Sequence, residues 1–378
     1  MKTLLKSAAA VSIMVLCLIT LVMIIGRTDS GRRIHKTIFL ENAADWRGCV
    51  LENAVPDNES NSVVFSTSDN NSLLITPVIN PGFRFYDLML SWNVEKMPVG
   101  CFLNFEAAVS PDSDRWYEFQ YLAYGSADSS IYDKMIGLPE TINNIGRVAT
   151  DILKLTEPMK YARIIIKAAM QDDSAKITLR RISVCFASDR STWSDYNRFE
   201  IEKSRSKIGS VKLSVPYYTQ RSLPSDLSGN CCSPTSVSMV LNYHERNIVP
   251  EDFCRSVYDP YHDMFGNWPY NMQAAYIAGM GKTWVEIHSS LDELYDEILE
   301  GKPVVISIAY GYDELPNSPI HEASVGHLVA VVGFSGPDTV ICNDPAGHNP
   351  GDGIVPYPRE ELERVWLAHG GVAYHLWP

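Results

Sequence analysis

A cysteine at the start of a predicted helix is the residue of this sequence best placed to act as a nucleophile. In Cys232-Ser-Pro-Thr-Ser the proline falls in the first helical turn, where its missing N–H costs nothing. The free N–H groups and the dipole of a helix N-terminus favour the thiolate, which is the reactive form of cysteine. We therefore expect Cys232 to be the nucleophile and Cys231 to lie just outside the helix. The alternative is that both cysteines only pack at the helix entry.

A predicted β-hairpin can bring a histidine and an aspartate together. If Phe334 pairs with Thr339 across the turn, His327 lies opposite Ala346 and Asp344 is its diagonal neighbour. Diagonal partners have Cα atoms about 7–8 Å apart, which allows a hydrogen bond between an imidazole and a carboxylate. Asp344 would then hold the tautomer and orientation of His327, and His327 would accept and return a proton. A slip of one residue in the hairpin would separate the two side chains.

Neither a metal ion nor another cofactor is indicated by the sequence pattern. His262, His321 and His348 do not show the Cys-x-x-Cys or His-Glu-x-x-His spacing of zinc sites. Gly279-Met-Gly-Lys lacks the remainder of a phosphate-binding loop. The formal net charge is -13, and no basic stripe occurs, so nucleic acid is not an expected partner.

The elements that must position these residues fall into two regions of different pattern. At 378 residues the chain is long enough for two hydrophobic cores. Residues 35–187 show short alternating segments between turn-forming clusters, which predicts an all-β sandwich domain of jelly-roll-like type. Residues 188–212 are polar and charged, which predicts a linker. Residues 213–378 begin with helical periodicity and continue with short apolar strands, which predicts an α+β domain.

The N-terminal segment, residues 1–30, is predicted to be a hydrophobic signal anchor helix or a signal peptide. Ser7 to Gly26 is an uncharged run that would span about 30 Å as a helix, close to the thickness of a bilayer's hydrocarbon core. The run exceeds the apolar core of most signal peptides and no clear cleavage site follows, so we favour the anchor. The rest of the chain is expected outside the cytoplasm, either anchored to the cell membrane and facing outward or secreted or periplasmic.

Four short motifs follow one another in the C-terminal region: Cys232-Ser-Pro-Thr-Ser, Gly266-Asn-Trp-Pro-Tyr-Asn271, Gly326-His-Leu-Val-Ala-Val-Val-Gly-Phe334 and Asn343-Asp-Pro-Ala346. In this order they resemble the motif set of the peptidase C39-like family, bacterial members of the papain-like cysteine peptidase superfamily. The resemblance covers residues 213–378. It implies a papain-like fold in which Cys232 is the nucleophile, His327 the base and Asp344 the group that orients the base.

The resemblance also implies roles for residues around this triad. Papain-like enzymes use a glutamine upstream of the cysteine as an oxyanion-hole donor, and Gln220 stands in that place. Its separation of 12 residues from Cys232 is longer than the papain spacing. Trp268 and Asn271 are expected to bind substrate, and a buried anchor is the alternative role for Trp268.

The sequence therefore predicts an extracytoplasmic cysteine peptidase or amide hydrolase that uses a Cys-His-Asp triad without a cofactor. Its expected partners are the membrane, through the N-terminal helix, and a peptide or protein substrate such as one at the cell surface. Two alternatives stay open. One is acyl or isopeptide transfer on the same triad, and the other is a papain-like binding module that no longer turns over.

Overall fold

The computed structural model describes residues 34–66, 72–126, 144–170, 174–188 and 208–378. The predicted signal or anchor segment, residues 1–30, lies outside these ranges, as do residues 189–207 of the predicted linker. Within the described ranges, no helix combines the length and the apolar character needed to cross a membrane.

The N-terminal region is built almost entirely from strands, which confirms the predicted β-rich region. One short helix, α1 (Ala43–Arg47), interrupts the strands. The strands described here are β1 (His35–Leu40), β2 (Val50–Glu52), β3 (Ala54–Asp57), β4 (Ser62–Phe65), β5 (Ser72–Ile75), β6 (Phe85–Val94), β7 (Phe102–Ser110), β8 (Tyr117–Gly125), β9 (Gly146–Ala149), β10 (Ile152–Met159), β11 (Tyr161–Ala169) and β12 (Ile177–Ala187).

These strands form two sheets that share one hydrophobic core. One sheet has the order β3-β4-β12-β6-β10-β9, with β1 also paired to β12, and the other has the order β2-β5-β11-β7-β8. Alternate residues along each strand point to one face, and those facing inward from both sheets form a single cluster. Trp92 of β6 stacks on Phe105 of β7 with ring centroids 4.1 Å apart, so this contact joins the two sheets. The jelly-roll assignment and the boundaries 35–187 stay predictions.

The C-terminal region combines helices with a third antiparallel sheet. The sheet has the order β14-β19-β15-β16-β17-β18, and a further strand, β13, pairs with β16. The strands are β13 (Val211–Lys212), β14 (Lys282–Ile287), β15 (Val304–Tyr310), β16 (Ser324–Phe334), β17 (Thr339–Asn343), β18 (Ile354–Pro358) and β19 (Val372–Trp377). The helices are α2 (Cys232–Tyr243), α3 (Pro250–Ser256), α4 (Trp268–Ile277), α5 (Asp292–Leu299), α6 (Pro350–Gly353) and α7 (Arg359–Ala368).

Helices cover both faces of this third sheet. On one face, α2 and α4 share a core with Leu328 and Ala330 of β16. On the opposite face, α5 and α7 share a core with Val329 and Val331 of the same strand. Successive residues of a strand point to opposite faces, which is why the apolar run of β16 serves both cores. Such a run is typical of a central strand that is buried on both sides.

A buried polar interface joins the N-terminal and C-terminal regions. The side chain of Gln273 on α4 donates to the carbonyl of Val94 (2.7 Å) and accepts from its N–H (2.8 Å), as a neighbouring strand would. Asn93 donates to the carbonyl oxygen of Thr283 (3.0 Å) and to its hydroxyl (2.8 Å). All four residues are buried. Since buried polar groups without partners are costly, these bonds fix how the two regions sit together.

Candidate active site

Cys232 is the first residue of helix α2, as its proline-containing turn predicts, and Cys231 is the N-cap. The Cys232 side chain is partly exposed, whereas the residues that follow it in the helix are buried. One turn further, the hydroxyl of Ser236 donates to the carbonyl of Leu328 (3.0 Å) and ties the helix to strand β16. The thiol is therefore held at a helix N-terminus, where negative charge is favoured, and Cys232 lines the cleft described below.

The β16–β17 hairpin has the predicted register near His327 but not at the turn. Phe334 pairs with Val340 rather than with Thr339, so the turn is one residue longer than the sequence suggested. A β-bulge in β16 then adds one residue to that strand, and from there Ala330 pairs with Asn343. The bulge offsets the slip of one residue. The histidine of β16 and the aspartate just after β17 are therefore diagonal neighbours, as predicted.

His327 lies between Cys232 and Asp344. Its Nε2 is 2.8 Å from the Oδ1 of Asp344, and the imidazole also interacts with the Cys232 thiol. Two further donors hold the carboxylate: the hydroxyl of Tyr357 binds Oδ2 (2.7 Å), and the N–H of Ala346 binds Oδ1 (2.9 Å). Because Asp344 and His327 are buried, these bonds fix the orientation of the imidazole.

The charges of the site stabilise a thiolate and an imidazolium. Burial alone lowers the pKa of His327, but the carboxylate of Asp344 and the thiolate of Cys232 outweigh it and raise the pKa to about 10. Burial alone raises the pKa of Cys232, but the bond to His327, its charge and the N–H groups of Leu328 and Ser233 lower it overall. The carboxylate of Asp344 has a lowered pKa as well, because His327 and its other donors outweigh its burial. An ion pair of this kind is a preformed nucleophile.

Cys231, the neighbouring cysteine, has the opposite environment. It is fully buried in a small cluster with Leu227 and Cys254. A hydrogen bond with Cys254 and the burial raise the pKa of the Cys231 thiol far above its usual range. A thiol that does not ionise is a poor nucleophile, so the geometry favours Cys232 of the two.

Gln220, the predicted oxyanion-hole donor, is buried in a single turn of 3₁₀ helix that precedes the site. Its Nε2 donates to the carbonyl of Ser228 (2.9 Å), and its backbone N–H donates to the carbonyl of Pro345 (2.9 Å). Gln220 is absent from the lining of the cleft described below. In this structure it supports the loop that leads to Cys231 and Cys232, and its oxyanion role stays a prediction.

Beside Cys232 lies a cleft of about 510 Å³. Trp268 lines the cleft and is partly buried. Its position is therefore compatible with both predicted roles, substrate binding and a buried anchor. Asn271 does not line the cleft: the Asn271 side chain is fully buried and donates to the carbonyls of Phe265 (2.9 Å) and Asn267 (2.8 Å). The structure therefore brings Trp268 to the candidate site, and it gives Asn271 the task of holding the loop that leads into helix α4.

One wall of the cleft comes from the N-terminal region, which the sequence did not reveal. The β9–β10 hairpin contributes Arg147, Thr150 and Lys154, among others, to the lining. Asp151 of the same hairpin accepts the backbone N–H of Trp268 through Oδ2 (2.9 Å). Burial raises the pKa of the Asp151 carboxyl to about 7. The hairpin is thus attached to the helix that carries the tryptophan wall, and it brings two basic side chains to the cleft.

Tyr357 was also missed from the sequence. It lies in strand β18, is fully buried and donates to the carboxylate that faces His327. A tyrosine within a short strand is typical of an ordinary core position. Only the pairing of β18 with β17 brings its hydroxyl to Asp344. No local pattern could have singled it out.

In the C-terminal region a cysteine at a helix start faces a histidine on the sheet. Residues 212–374 match the model of the Peptidase_C39 like family, as the motifs of this region indicated. The predicted C39-like fold is thereby confirmed. A comparison with curated proteins found no match.

Several solved structures resemble the chain. A protein described as a C39-like peptidase from Bacillus anthracis is 19% identical, with a TM-score of 0.35, and the match covers 45% of this chain and 98% of that one. A double glycine motif protease from an AMS/PCAT transporter, solved with the leader peptide, is 20% identical (TM-score 0.29; 46% and 99% covered). Xylellain, a cysteine protease from Xylella fastidiosa, is 11% identical (TM-score 0.29; 48% and 92% covered).

Proposed function

We propose that this protein is a cysteine peptidase that hydrolyses amide bonds in peptide or protein substrates through Cys232, His327 and Asp344. One observation carries the proposal: a chain of hydrogen bonds runs from the Cys232 thiol through His327 to Asp344, and Cys232 lines a cleft. The match of residues 212–374 to the model of a peptidase family supports the same chemistry.

The reaction follows from the charges of these groups. The Cys232 thiolate attacks the carbonyl carbon of the substrate, and His327 gives its proton to the departing amine. A thioester then links the acyl group to Cys232. His327 takes a proton from water, which attacks the thioester and regenerates the thiolate. The N–H of Cys232 at the helix start is one donor for the oxyanion, and Gln220 is the proposed second donor.

The two adjacent cysteines provide a matched pair of variants for testing this proposal. Cys232→Ala should abolish hydrolysis of a peptide library and covalent labelling by an epoxide or iodoacetamide at neutral pH. Cys231→Ala should retain most of both, because the Cys231 thiol is buried and un-ionised. Circular dichroism controls for folding in each variant. Equal losses in two folded variants would contradict the assignment, and a wild-type protein that resists alkylation would favour the binding module.

We further propose that the protein acts outside the cytoplasm and is held at the membrane by Ser7 to Gly26. The length and the uncharged character of this run, which fit the hydrocarbon core of a bilayer, support this proposal. Extraction of membranes with carbonate should leave the full chain in the pellet, and replacement of two central leucines by arginine should release it. A soluble mature form that begins after Arg27 would instead show that the segment is a cleaved signal peptide.

A further inference from the structure

A cluster of three histidines and three glutamates lies where strand β1 meets the third sheet. None of its members lines the cleft, and none belongs to the candidate triad. They come from four separate parts of the described chain: His35 on β1, Glu286 and His288 on and just after β14, Glu293 and Glu297 on α5, and His375 on β19. His288 and His375 are buried.

The two buried imidazoles face each other through the same ring atom. His288 Nε2 is 2.9 Å from His375 Nε2. The other nitrogen of each ring faces a carboxylate, since His288 Nδ1 is 2.8 Å from Glu293 and His375 Nδ1 is 2.9 Å from Glu297. A nitrogen that faces a carboxylate carries a proton, so in the neutral rings both Nε2 atoms present lone pairs to each other. A proton or a metal ion between the two nitrogens removes this repulsion.

A third ligand stands beside these two nitrogens. Glu286 Oε2 is 3.9 Å from His375 Nε2, and the three ligand atoms of Glu286, His288 and His375 lie within 4.8 Å of one another. Among the described residues, the ion pairs of Glu286, Glu293 and Glu297 are all with histidine and none is with lysine or arginine. The cluster therefore has an excess of negative charge around the facing nitrogens.

We propose that His288, His375 and Glu286 bind a divalent transition-metal ion of the Zn²⁺ type. With bonds of about 2.0–2.1 Å, two nitrogens 2.9 Å apart subtend an angle of roughly 90° at the ion, which needs only a small opening to become tetrahedral. Imidazole and carboxylate are ligands that suit such ions. The bonds from each Nδ1 to Glu293 and Glu297 are the outer-sphere contacts that orient metal-binding histidines.

The ion would also connect the two regions of the chain. His35 Nε2 on β1 binds the same carboxylate oxygen of Glu293 (3.1 Å) that accepts from His288. Strand β1 is thereby joined to a ligand of the ion through one glutamate. The role assigned by this geometry is structural, because the ligands are buried or half-buried and lie away from the cleft.

The test is metal binding by the full chain, purified without a histidine tag and stripped with a chelator. The Cys232→Ala background removes the candidate thiolate, which would otherwise compete for the ion. Calorimetry with Zn²⁺ should show one equivalent per chain, and Co²⁺ should give visible absorption bands without a thiolate charge-transfer band. Zn²⁺ should also raise the midpoint of thermal unfolding.

Three variants connect the binding to these residues. His375→Gln should weaken Zn²⁺ binding at least about 100-fold, and Glu297→Gln, which alters only an outer-sphere contact, about 10-fold to 100-fold. Glu286→Gln keeps the size of the side chain and should also weaken binding, so it serves if His375→Gln fails to fold. His348→Gln, at an exposed histidine, is the control and should bind as the parent does.

Either of two results would overturn the proposal. One is the absence of saturable Zn²⁺ binding by the folded, stripped protein, which would mean that a shared proton alone lies between the two rings. The other is one-equivalent binding that survives both Glu286→Gln and His375→Gln in folded protein, which would place the ion elsewhere.

Discussion

Replacement of Asp344 by asparagine tests how much the negative charge of this carboxylate contributes to the candidate triad. The carboxylate accepts bonds from His327, Tyr357 and Ala346. Asparagine has almost the same shape and keeps one carbonyl oxygen, which can still accept from His327 and Ala346. It removes the negative charge, and its amide group meets the Tyr357 hydroxyl, which can rotate and accept. We therefore expect folding to change little.

The expected magnitude follows from that lost charge. A hydrogen bond to a charged group contributes about 1.5–3 kcal/mol and a neutral one about 0.5–1.5 kcal/mol, so the imidazolium loses roughly 1–2 kcal/mol of stabilisation. This corresponds to about one pKa unit for His327, whose pKa of about 10 depends on Asp344. We expect kcat to fall about 10-fold to 100-fold, or about 1.4–2.7 kcal/mol in the barrier. Asp344→Ala should lower kcat further, because it removes the hydrogen bond.

The pH dependence of alkylation provides the sharpest assay. The reactive ion pair exists above the lowered pKa of Cys232 and below the raised pKa of His327. Asp344→Asn removes a negative charge beside His327, so the pKa of His327 falls and the pH window of the ion pair narrows at its upper end. Above that pKa the thiolate loses its imidazolium partner and becomes more nucleophilic. The rise in the rate of iodoacetamide alkylation that accompanies this loss should therefore move to lower pH by about one unit.

In a Cys231→Ala background, mass spectrometry of the peptide that contains position 232 reports the alkylation of Cys232 separately from that of the partly exposed Cys49. The reasoning is refuted if the folded Asp344→Asn variant shows the wild-type alkylation profile and kcat. Such a result would mean that the carboxylate, despite its 2.8 Å contact with His327, is not coupled to the thiol. A loss of kcat with an unchanged alkylation profile would also contradict the account, since the effect would then arise after thiolate formation.

Two other substitutions address neighbouring features. If Gln220 stabilises the oxyanion, Gln220→Ala should lower kcat about 100-fold or more; if it only supports Ser228, the unfolding midpoint should fall while kcat per folded molecule stays within a few fold. Gln273→Ala leaves the buried N–H and carbonyl of Val94 without hydrogen-bond partners. Each group without a partner costs about 1–3 kcal/mol, so chemical denaturation should show a clear decrease in the free energy of unfolding. Glu118→Ala, on an exposed strand position, is its control, and equal midpoints for the two variants would argue against the polar interface.

The parts of the site that depend on local patterns could be predicted from the sequence. The proline after Cys232 marks a helix start, and the hairpin argument brings Asp344 to His327. The predicted pairing of Phe334 with Thr339 was wrong by one residue. The prediction that Asp344 is the diagonal neighbour of His327 was nevertheless correct, because the β-bulge restores the register. A bulge depends on how a strand packs in its sheet, and the residues of the turn do not predict it.

Features that depend on long-range packing could not be predicted in this way. His288 and His375 face each other across antiparallel strands that are far apart in the chain, and their spacing matches no short metal-binding motif. Tyr357 and the β9–β10 hairpin reach the site only after the third sheet and the two regions have assembled. For Asn271, a local motif suggested the wrong role. Its position in the motif predicted a substrate contact, whereas its side-chain amide holds the loop that leads into helix α4.

For the proposed peptidase activity, the β9–β10 hairpin would affect substrate selectivity without taking part in bond cleavage. The candidate triad belongs to residues 232–344, but one wall of the cleft beside it belongs to the N-terminal region, which supplies none of the three triad residues. Substitutions at Arg147 can therefore change which side chains the groove tolerates while the thiolate and its imidazole remain untouched. A library restricted to this hairpin is a direct route to altered substrate preference. A truncated protein that begins at residue 212 would lack this wall of the cleft. We therefore expect its substrate preference to differ from that of the full chain.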